Sequence, residues 1–415
     1  MVCAGRDFGR RSRIDMVWRD TREKASRWMN IWMSQFRVAA LKNRRPSIRG
    51  AHGIAVIKID AIGDFLIWLD SASQYRKIYP EQEIVLVCNT ACAEFAESAR
   101  KAGFFDEIIL IQSRRFESDN RYKKEIWDSF QNRHFRTLLQ TVYSRTIDMD
   151  LLAMNIPAEE KIAFVADESR LNLSRYMALG SIRKKLDKIY DRLIPSGGKD
   201  LMELERNAVF IRGLGQDFQA GYPSLPQMQV QQNLIPPRPY VVIFPGGSSG
   251  KKMWPIERYA KVGEFIVSEK GMDVYLCGGE NEAYLYRQFV DALEQSQYKD
   301  RMHDLFGKTT LLELAEIIRN ASLFVGNDTS GIHVAAAVNT KGICIFGEFA
   351  YGRFLPYRCE RGCEGHEPII VCSAKKNCAG CTYGAITAEC RKHLFETGRY
   401  QCIDEVSVEQ VLREI

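Results

Sequence analysis

Three short stretches of this 415-residue chain combine carboxylates, small residues and cations in ways suited to a phosphorylated ligand and to proton transfer. In IDAIGDF (59–65), Asp64 stands at the start of a helix directly after an apolar run. A carboxylate there can take a proton from an attacking hydroxyl as a general base. Aspartate at a first helical turn is also a common cap, so for Asp64 and Asp60 both readings stay open. The glycine between them is expected to let the backbone turn tightly.

FPGGSSGKKMWP (244–255) is rich in small residues and ends in a lysine pair before Trp254. Its backbone amides, with Ser248, Ser249 and Lys252, suit a diphosphate cradle. Gly250 is followed by Lys251, Lys252 and Met253, which breaks the Walker A spacing. The bland alternative is a flexible surface loop. In GNDTSGIHVAAA (326–337) an apolar run ends at Asp328, Thr329 and Ser330 make the turn, and a helix of small residues follows. A helix start offers unpaired amides and the positive end of a dipole to a phosphate. His333 lies about one turn in, placed to donate to that phosphate or to fix Asp328; as a lone helical histidine it also fits a purely structural role.

The last 57 residues hold seven of the twelve cysteines. Cys378 and Cys381 have C-x-x-C spacing with Gly380 between them, and Cys390 and Cys402 follow after 8 and 11 intervening residues. That arrangement can fold back to a tetrahedral four-thiolate site for structural zinc or iron. Cys359, Cys363 and Cys372 are spare ligands, and free thiols are the alternative. Cys88, Cys92, Cys277 and Cys344 lie in or beside apolar runs and are expected to be reduced core residues.

The elements that must position these loops are strands alternating with helices. IAVIKI (54–59), EIVLVC (83–88) and EIIL (107–110) read as strands; 64–79 and 93–103 read as helices. Residues 111–150 show weaker periodicity and read as mixed helix and loop. NLIPPRPY (233–240), with three prolines, reads as a linker. A second series follows: strands at 240–244, 273–278, 322–327 and 342–347, and helices at 257–271, 311–321 and 330–339. Ser407, with Gln410 three residues on, opens a last short helix through a capping box. The expected organisation is α/β: a leader at 1–50, a doubly wound domain at 51–235, a second at 236–347, and a cysteine-rich tail with a C-terminal helix at 348–415. Ligands of such folds bind at the carboxyl ends of the strands.

Charge is unevenly placed. Residues 1–50 carry 13 Lys or Arg against 4 Asp or Glu, while the whole chain is only +6. Ala25, Trp28, Ile31, Trp32, Phe36 and Ala39 recur at helical steps between arginines. This reads as a basic amphipathic helix for an anionic membrane surface and not for nucleic acid, or as a helix packed on the body of the protein. No apolar stretch reaches membrane-spanning length, and no secretion signal is visible. A cytoplasmic protein is expected, peripheral on the inner face of the cytoplasmic membrane where the leader binds lipid.

Taken in order, AVIKIDAIGDF (55–65), ELERNAVFIRGLG (203–215), PGGSSGKKMWP (245–255), LCGGENE (276–282), KTTLLELAEII (308–318) and GNDTSGIHVAAA (326–337) resemble glycosyltransferase family 9, the heptosyltransferase-like enzymes. GRFLPY (352–357) and the cysteine tail resemble a cysteine-bearing branch of it. The resemblance implies a GT-B fold, with two Rossmann-like domains facing across a cleft, and transfer with inversion from an ADP-heptose-like donor without a catalytic metal. It puts Asp64 on the catalytic base and Lys252 on the donor phosphates, with Ser248 and Ser249 in the phosphate loop. It puts Glu282, after the Gly278–Gly279 turn, on the ribose hydroxyls and Thr309 beside the base. Asp328, Thr329, Ser330, Gly331 and His333 fall on the sugar–diphosphate motif. Two departures are visible: Ser330 replaces a glycine, and Asp60 replaces a small hydroxyl residue. The implied acceptor is a hydroxyl of a cell-envelope glycan or a protein. A GT-B nucleotide-sugar epimerase and a non-catalytic nucleotide-sugar binder are the alternatives.

Overall fold

The computed structural model describes residues 51–165, 186–198, 201–226, 235–293, 296–348, 351–362, 367–373 and 386–415. The leader therefore lies outside the described residues, as do Cys363, Cys378 and Cys381 of the tail.

The first half of the chain builds β1 (Ile54–Lys58), α1 (Ile62–Ile78), β2 (Ile84–Asn89), α2 (Ala93–Lys101) and β3 (Glu107–Ile111). It continues through α3 (Ser113–Ser118), α4 (Asn120–Ser129), β4 (Phe135–Gln140), α5 (Ile147–Asn155), β5 (Ala158–Phe164), β6 (Arg192–Ile194) and α6 (Glu203–Gly213). The second half gives β7 (Tyr240–Phe244), α7 (Ile256–Lys270), β8 (Asp273–Leu276), α8 (Tyr284–Asp291), β9 (Met302–Asp304), α9 (Leu311–Arg319), β10 (Leu323–Asn327), α10 (Ser330–Ala337) and β11 (Gly342–Ile345). Beyond it come β12 (Ile369–Val371), α11 (Ala388–Thr397), α12 (Gln401–Asp404) and α13 (Val408–Leu412).

Both six-stranded sheets are parallel and have the same topology. The first runs β3-β2-β1-β4-β5-β6 and the second β12-β11-β10-β7-β8-β9, which is the same order by position within each half. β1 is apolar from Ile54 to Ile57 and buried along its length, as a central parallel strand must be when helices cover both faces. The chain reverses its winding between β1 and β4, and again between β7 and β10. The carboxyl ends of those pairs are the ligand crevices of such sheets. The IDAIGDF loop leaves β1, the PGGSSGKK loop leaves β7, and the DTSGIH turn leaves β10.

Five strands are absent from the sequence expectation: β4, β5 and β6 of the first sheet and β9 and β12 of the second. The segment 111–150, read as helix and loop, contains β4, which pairs with β1 at the centre of the sheet. Arg136, Thr137 and Gln140 interrupt its apolar run, and Gln140 is nevertheless fully buried. The second sheet also does not close at 342–347, because Ile369–Val371 adds a further parallel strand.

α1 joins the halves. Phe65, Leu66, Ile67, Trp68 and Leu69 are all buried, so this helix has no solvated face over that stretch. It packs on α6 on one side and on α10 of the second half on the other. One continuous core contains Val56, Leu66 and Phe210 together with Phe244, Phe324 and Ala335. Each large apolar side chain removed from water there contributes about 1.5–3 kcal/mol.

Candidate active site

Lys58 ends β1 with its side chain 1% exposed, and its Nζ lies 2.8 Å from Asp60 Oδ2. α1 then opens at Ile62. The N-cap position belongs to Ala61 and no side chain caps it, so Asp64 does not serve as the cap. The Asp64 carboxylate makes no hydrogen bond among the described residues. Its carboxyl is pushed up to about 7, first by burial and then by the charge of Asp60; Lys58 pulls it down, Glu203 adds to the rise and Arg353 opposes it. A carboxylate titrating there can exchange a proton with a hydroxyl near neutral pH.

Gly63 lies inside the first turn of α1, not in a tight loop. A Cβ on it would sit 2.8 Å from Cδ2 of His333, closer than carbon atoms approach. This glycine is therefore needed for the contact between α1 and α10, which corrects the turn role expected from sequence. The missing side chain lets the start of α1, which carries Asp64, lie against α10 of the other half.

The loop after β7 is held from below by Asn327, the buried last residue of β10. Its Nδ2 donates to the Pro245 carbonyl at 2.7 Å and the Gly246 carbonyl at 3.1 Å, and its Oδ1 accepts from the Trp254 amide at 3.1 Å. Glu282 holds the loop from the side, accepting from the Gly247 amide at 2.8 Å and the Gly279 amide at 3.0 Å. A Cβ on Gly246 would lie 2.4 Å from Glu282 Oε1, so a side chain there would displace this carboxylate. Glu282 thus ties the two glycine loops together, with lone pairs left over for a ligand hydroxyl. Gly278 packs under Phe306, whose ring would stand 2.3 Å from an added Cβ. Ser248 is exposed, and Ser249 precedes a short 3₁₀ turn over Gly250–Lys252 that presents Lys252.

The C-terminal segment forms the outer wall of this loop. The Tyr400 amide donates to the Lys251 carbonyl at 2.9 Å, and Trp254 Nε1 donates to the Val406 carbonyl at 2.8 Å. Cys390 and Cys402 are buried on α11 and α12 of the same segment. Among the described residues no group of three or more His, Cys, Asp or Glu is placed to hold a metal. The expected partners Cys378 and Cys381 lie outside them.

At the end of β10, burial raises the Asp328 carboxyl to about 6 against the pull of Lys252 and Arg353. Thr329 takes the N-cap position of α10 without a capping side-chain bond. Its Cγ2 lies 3.4 Å from where a Cβ on Gly247 would be, so the start of α10 adjoins the loop that carries Lys252. Gly331 faces the core instead: a Cβ there would lie 2.7 Å from the Phe324 ring, so only its amide can serve a ligand. Thr309 is half-buried just before Thr310, which caps α9 through a reciprocal bond pair with Glu313. His333 is buried, its Nδ1 lies 2.6 Å from the Tyr357 hydroxyl, and burial pushes its pKa down to about 4. The ring is neutral at physiological pH.

Sequence reasoning gave no role to Lys58, Glu203, Asn327, Arg353 or Tyr357. Arg353 acts electrostatically on both Asp64 and Asp328, and Glu203 Oε2 lies 3.6 Å from its Nε. The usable signal was a lysine ending a fully apolar strand, where a charge needs a partner. The rest depends on proximity across the fold.

Residues 205–381 match the profile of glycosyltransferase family 9 (heptosyltransferase). Lipooligosaccharide heptosyltransferase 2 of Haemophilus influenzae is 32% identical over 125 residues, which is 30% of this chain and 36% of that protein. Lipopolysaccharide heptosyltransferase 3 of Escherichia coli is 34% identical over 108 residues, 26% of this chain and 31% of that protein. The aligned segments therefore span about a third of these curated relatives. Among solved structures, E. coli ADP-heptose lps heptosyltransferase II superposes with a TM-score of 0.59 at 17% identity, covering 87% of this chain and 97% of its own. The family 9 glycosyl transferase from Veillonella parvula gives 0.60 at 15% identity, covering 89% and 97%. These likenesses establish the GT-B fold across both halves, with its two Rossmann-like sheets. The profile match covers residues 205–381, less than half of the chain, and together with that fold it makes the chain similar to glycosyltransferase family 9.

Proposed function

We propose that the chain is an inverting glycosyltransferase that moves a heptose-like sugar from a nucleotide diphosphate, with ADP-heptose as the first candidate, to a hydroxyl of a cell-envelope glycan or protein. The observation that carries this reading is the meeting at Gly63. There the helix start that carries a carboxylate raised to about 7 lies against a helix whose uncapped start adjoins the glycine-rich loop. In this reading the donor lies between the β7 loop and α10. Lys252, Ser248, Ser249 and the amides of Ser330 and Gly331 hold its phosphates, while Glu282 and Thr309 border the nucleoside. As the sugar–phosphate bond breaks, negative charge grows on the leaving diphosphate, and fixed cations and amides stabilise it. Asp64 takes the proton of the hydroxyl that attacks the opposite face, which inverts the anomeric centre. No divalent ion is needed in this scheme, so turnover is expected to persist in excess chelator.

A panel of nucleotide sugars tests the proposal by thermal shift and by acceptor-dependent release of nucleoside diphosphate. A ligand that binds only the folded state raises its stability in proportion to ln(1 + [L]/Kd). ADP-heptose should stabilise most and be turned over only with an acceptor present. A chain stabilised by no nucleotide sugar, or one that releases free sugar with no acceptor, does not perform this reaction.

Two accessory roles belong to the same reading. The leader would hold the enzyme reversibly on anionic lipid, placing it on the inner face of the cytoplasmic membrane. Deleting residues 1–45 should abolish salt-sensitive binding to anionic vesicles and spare transfer to a soluble acceptor. Insolubility of the truncated protein would instead make the leader a packing element. In the tail, Cys378, Cys381, Cys390 and Cys402 would hold one structural zinc or iron. The support within the described residues is that Cys390 and Cys402 are both buried in the segment that braces Lys251. About one metal per chain is expected by elemental analysis, and Cys378→Ser should lose it and several kcal/mol of stability. Because Tyr400 bonds next to Lys252, that variant should also raise the donor KM. Metal-free protein from anaerobic purification, with Cys378→Ser as stable as wild type, would rule the site out.

A further inference from the structure

His333 carries one hydrogen bond among the described residues, from Nδ1 to the Tyr357 hydroxyl at 2.6 Å. A pair of this kind can place its protons in two ways. Either the phenol donates to Nδ1 and the ring proton sits on Nε2, or Nδ1–H donates to the phenol oxygen. In the second arrangement the phenolic proton itself needs an acceptor. Tyr357 is buried, and no other acceptor reaches its hydroxyl among the described residues. A buried donor left without a partner costs about 1–3 kcal/mol. In the first arrangement the free donor is Nε2–H, which is not among the fully buried side-chain atoms without a partner, so that arrangement is favoured. Burial also keeps Tyr357 protonated well above the usual tyrosine range, so the proton is there to donate.

Tyr357 is itself fixed. Its ring meets Tyr222 edge-on at 5.1 Å, and Tyr222 belongs to the segment that follows α6. Four residues before it, the Arg353 carbonyl accepts from the amide of Glu203, the first residue of α6, at 2.8 Å. The strap 351–357 thus leaves the second sheet, anchors on the first half, and returns a hydroxyl to a histidine on α10. The opposite ring nitrogen of His333 lies 3.6 Å from where a Cβ on Gly63 would be, one residue from Asp64 and close to Ser330.

We propose that Tyr357 is a positioning residue: its hydroxyl holds the His333 imidazole in the Nε2–H tautomer and aims that N–H at a donor oxygen in the seam between Gly63 and Ser330. The inference rests on the glycosyltransferase reading for the identity of that oxygen, but not for the tautomer. A neutral N–H aimed there orients the sugar diphosphate without adding a second full charge beside Lys252. Removing the phenolic hydroxyl frees the ring to populate the Nδ1–H form, which turns an acceptor toward an oxygen that is itself an acceptor.

Long-range proton–nitrogen correlation spectra of the ¹⁵N-labelled full chain, without ligand, read the tautomer directly. Wild type should show His333 as Nε2–H, and Tyr357→Phe should shift it toward Nδ1–H. Tyr357→Phe should lower kcat roughly 10- to 100-fold, since a small misplacement of an orienting group can cost up to ~10²-fold, with donor KM changed less than threefold. In the His333→Ala background the same substitution should cost nothing further, since its effect passes through the ring. Wild-type His333 found as Nδ1–H, an unchanged kcat in Tyr357→Phe, or equal losses in both backgrounds would overturn the assignment. Because the tautomer is read on unliganded protein, a chain that transfers no sugar would fail the functional reading while the spectra still decide the role of Tyr357.

Discussion

Replacing Asp64 with asparagine is expected to slow sugar transfer by ~10²–10⁴ while donor affinity stays within a few-fold of wild type. The substitution keeps the shape of the side chain and removes the proton acceptor. It does not remove a helix cap, because Ala61 occupies that position. The pH profile gives an independent readout. With the carboxyl raised to about 7, the wild-type base is mostly protonated at pH 6 and mostly ionised at pH 8. kcat/KM should therefore rise through about pH 7 and level off above it, and the variant should lose that limb.

Stability should move the other way. A carboxyl whose folded pKa is raised from 3.8 to about 7 holds its proton better in the folded than in the unfolded chain. Its contribution is complete below the unfolded value and is lost as pH rises through the folded one. Asp64→Asn cannot ionise, so it should be more stable than wild type above pH 7 and nearly equal to it at pH 4. A variant with full turnover, or with the same pH limb, would remove Asp64 from the chemistry.

Lys252→Ala is expected to lower kcat/KM by roughly 10²–10³, about the loss of one donor aimed at developing negative charge. Both terms should change. A phosphate contact exists in the ground state, so donor KM rises, and it strengthens as the leaving group gains charge, so kcat falls. The structure adds a second consequence. Lys252 is one of two cations that restrain the rise of the Asp328 carboxyl, which burial already takes to about 6. Without it, that carboxyl should titrate higher and bring a new pH dependence of donor binding near neutrality. Lys252→Arg should restore the charge and suppress the new dependence while recovering only part of the rate, because a planar fork does not replace a compact ammonium. Donor KM and kcat both at wild-type values in Lys252→Ala would remove the phosphate role.

Much of this architecture was written locally. The strands at 54–58, 84–89 and 240–244 are short apolar runs bounded by turn residues, and their period and burial need no distant partner to be read. Gly271 ends α7 in the left-handed conformation, and Ser407 and Gln410 close their capping box, because both devices act within one turn. The three candidate loops were legible for the same reason. Small residues and carboxylates directly after an apolar run place themselves at the carboxyl end of a strand, and the doubly wound order makes that edge the crevice.

What the sequence left open is what depends on residues far apart in the chain. β4 was hidden because its polar residues interrupt the apolar signal, and only its pairing with β1 makes it central. Gly63 looked like a turn glycine until α10, about 270 residues later, was found against it. Asp64 could be cap or base from its position alone. Its raised pKa comes from burial and from Asp60 and Glu203, opposed by Lys58 and Arg353, and these charges reach it from the end of β1, α6 and the strap after β11. Local periodicity specifies an element because the backbone repeats every two or 3.6 residues. The pKa of a buried group follows from the charges and dielectric around it, and only the folded chain assembles those.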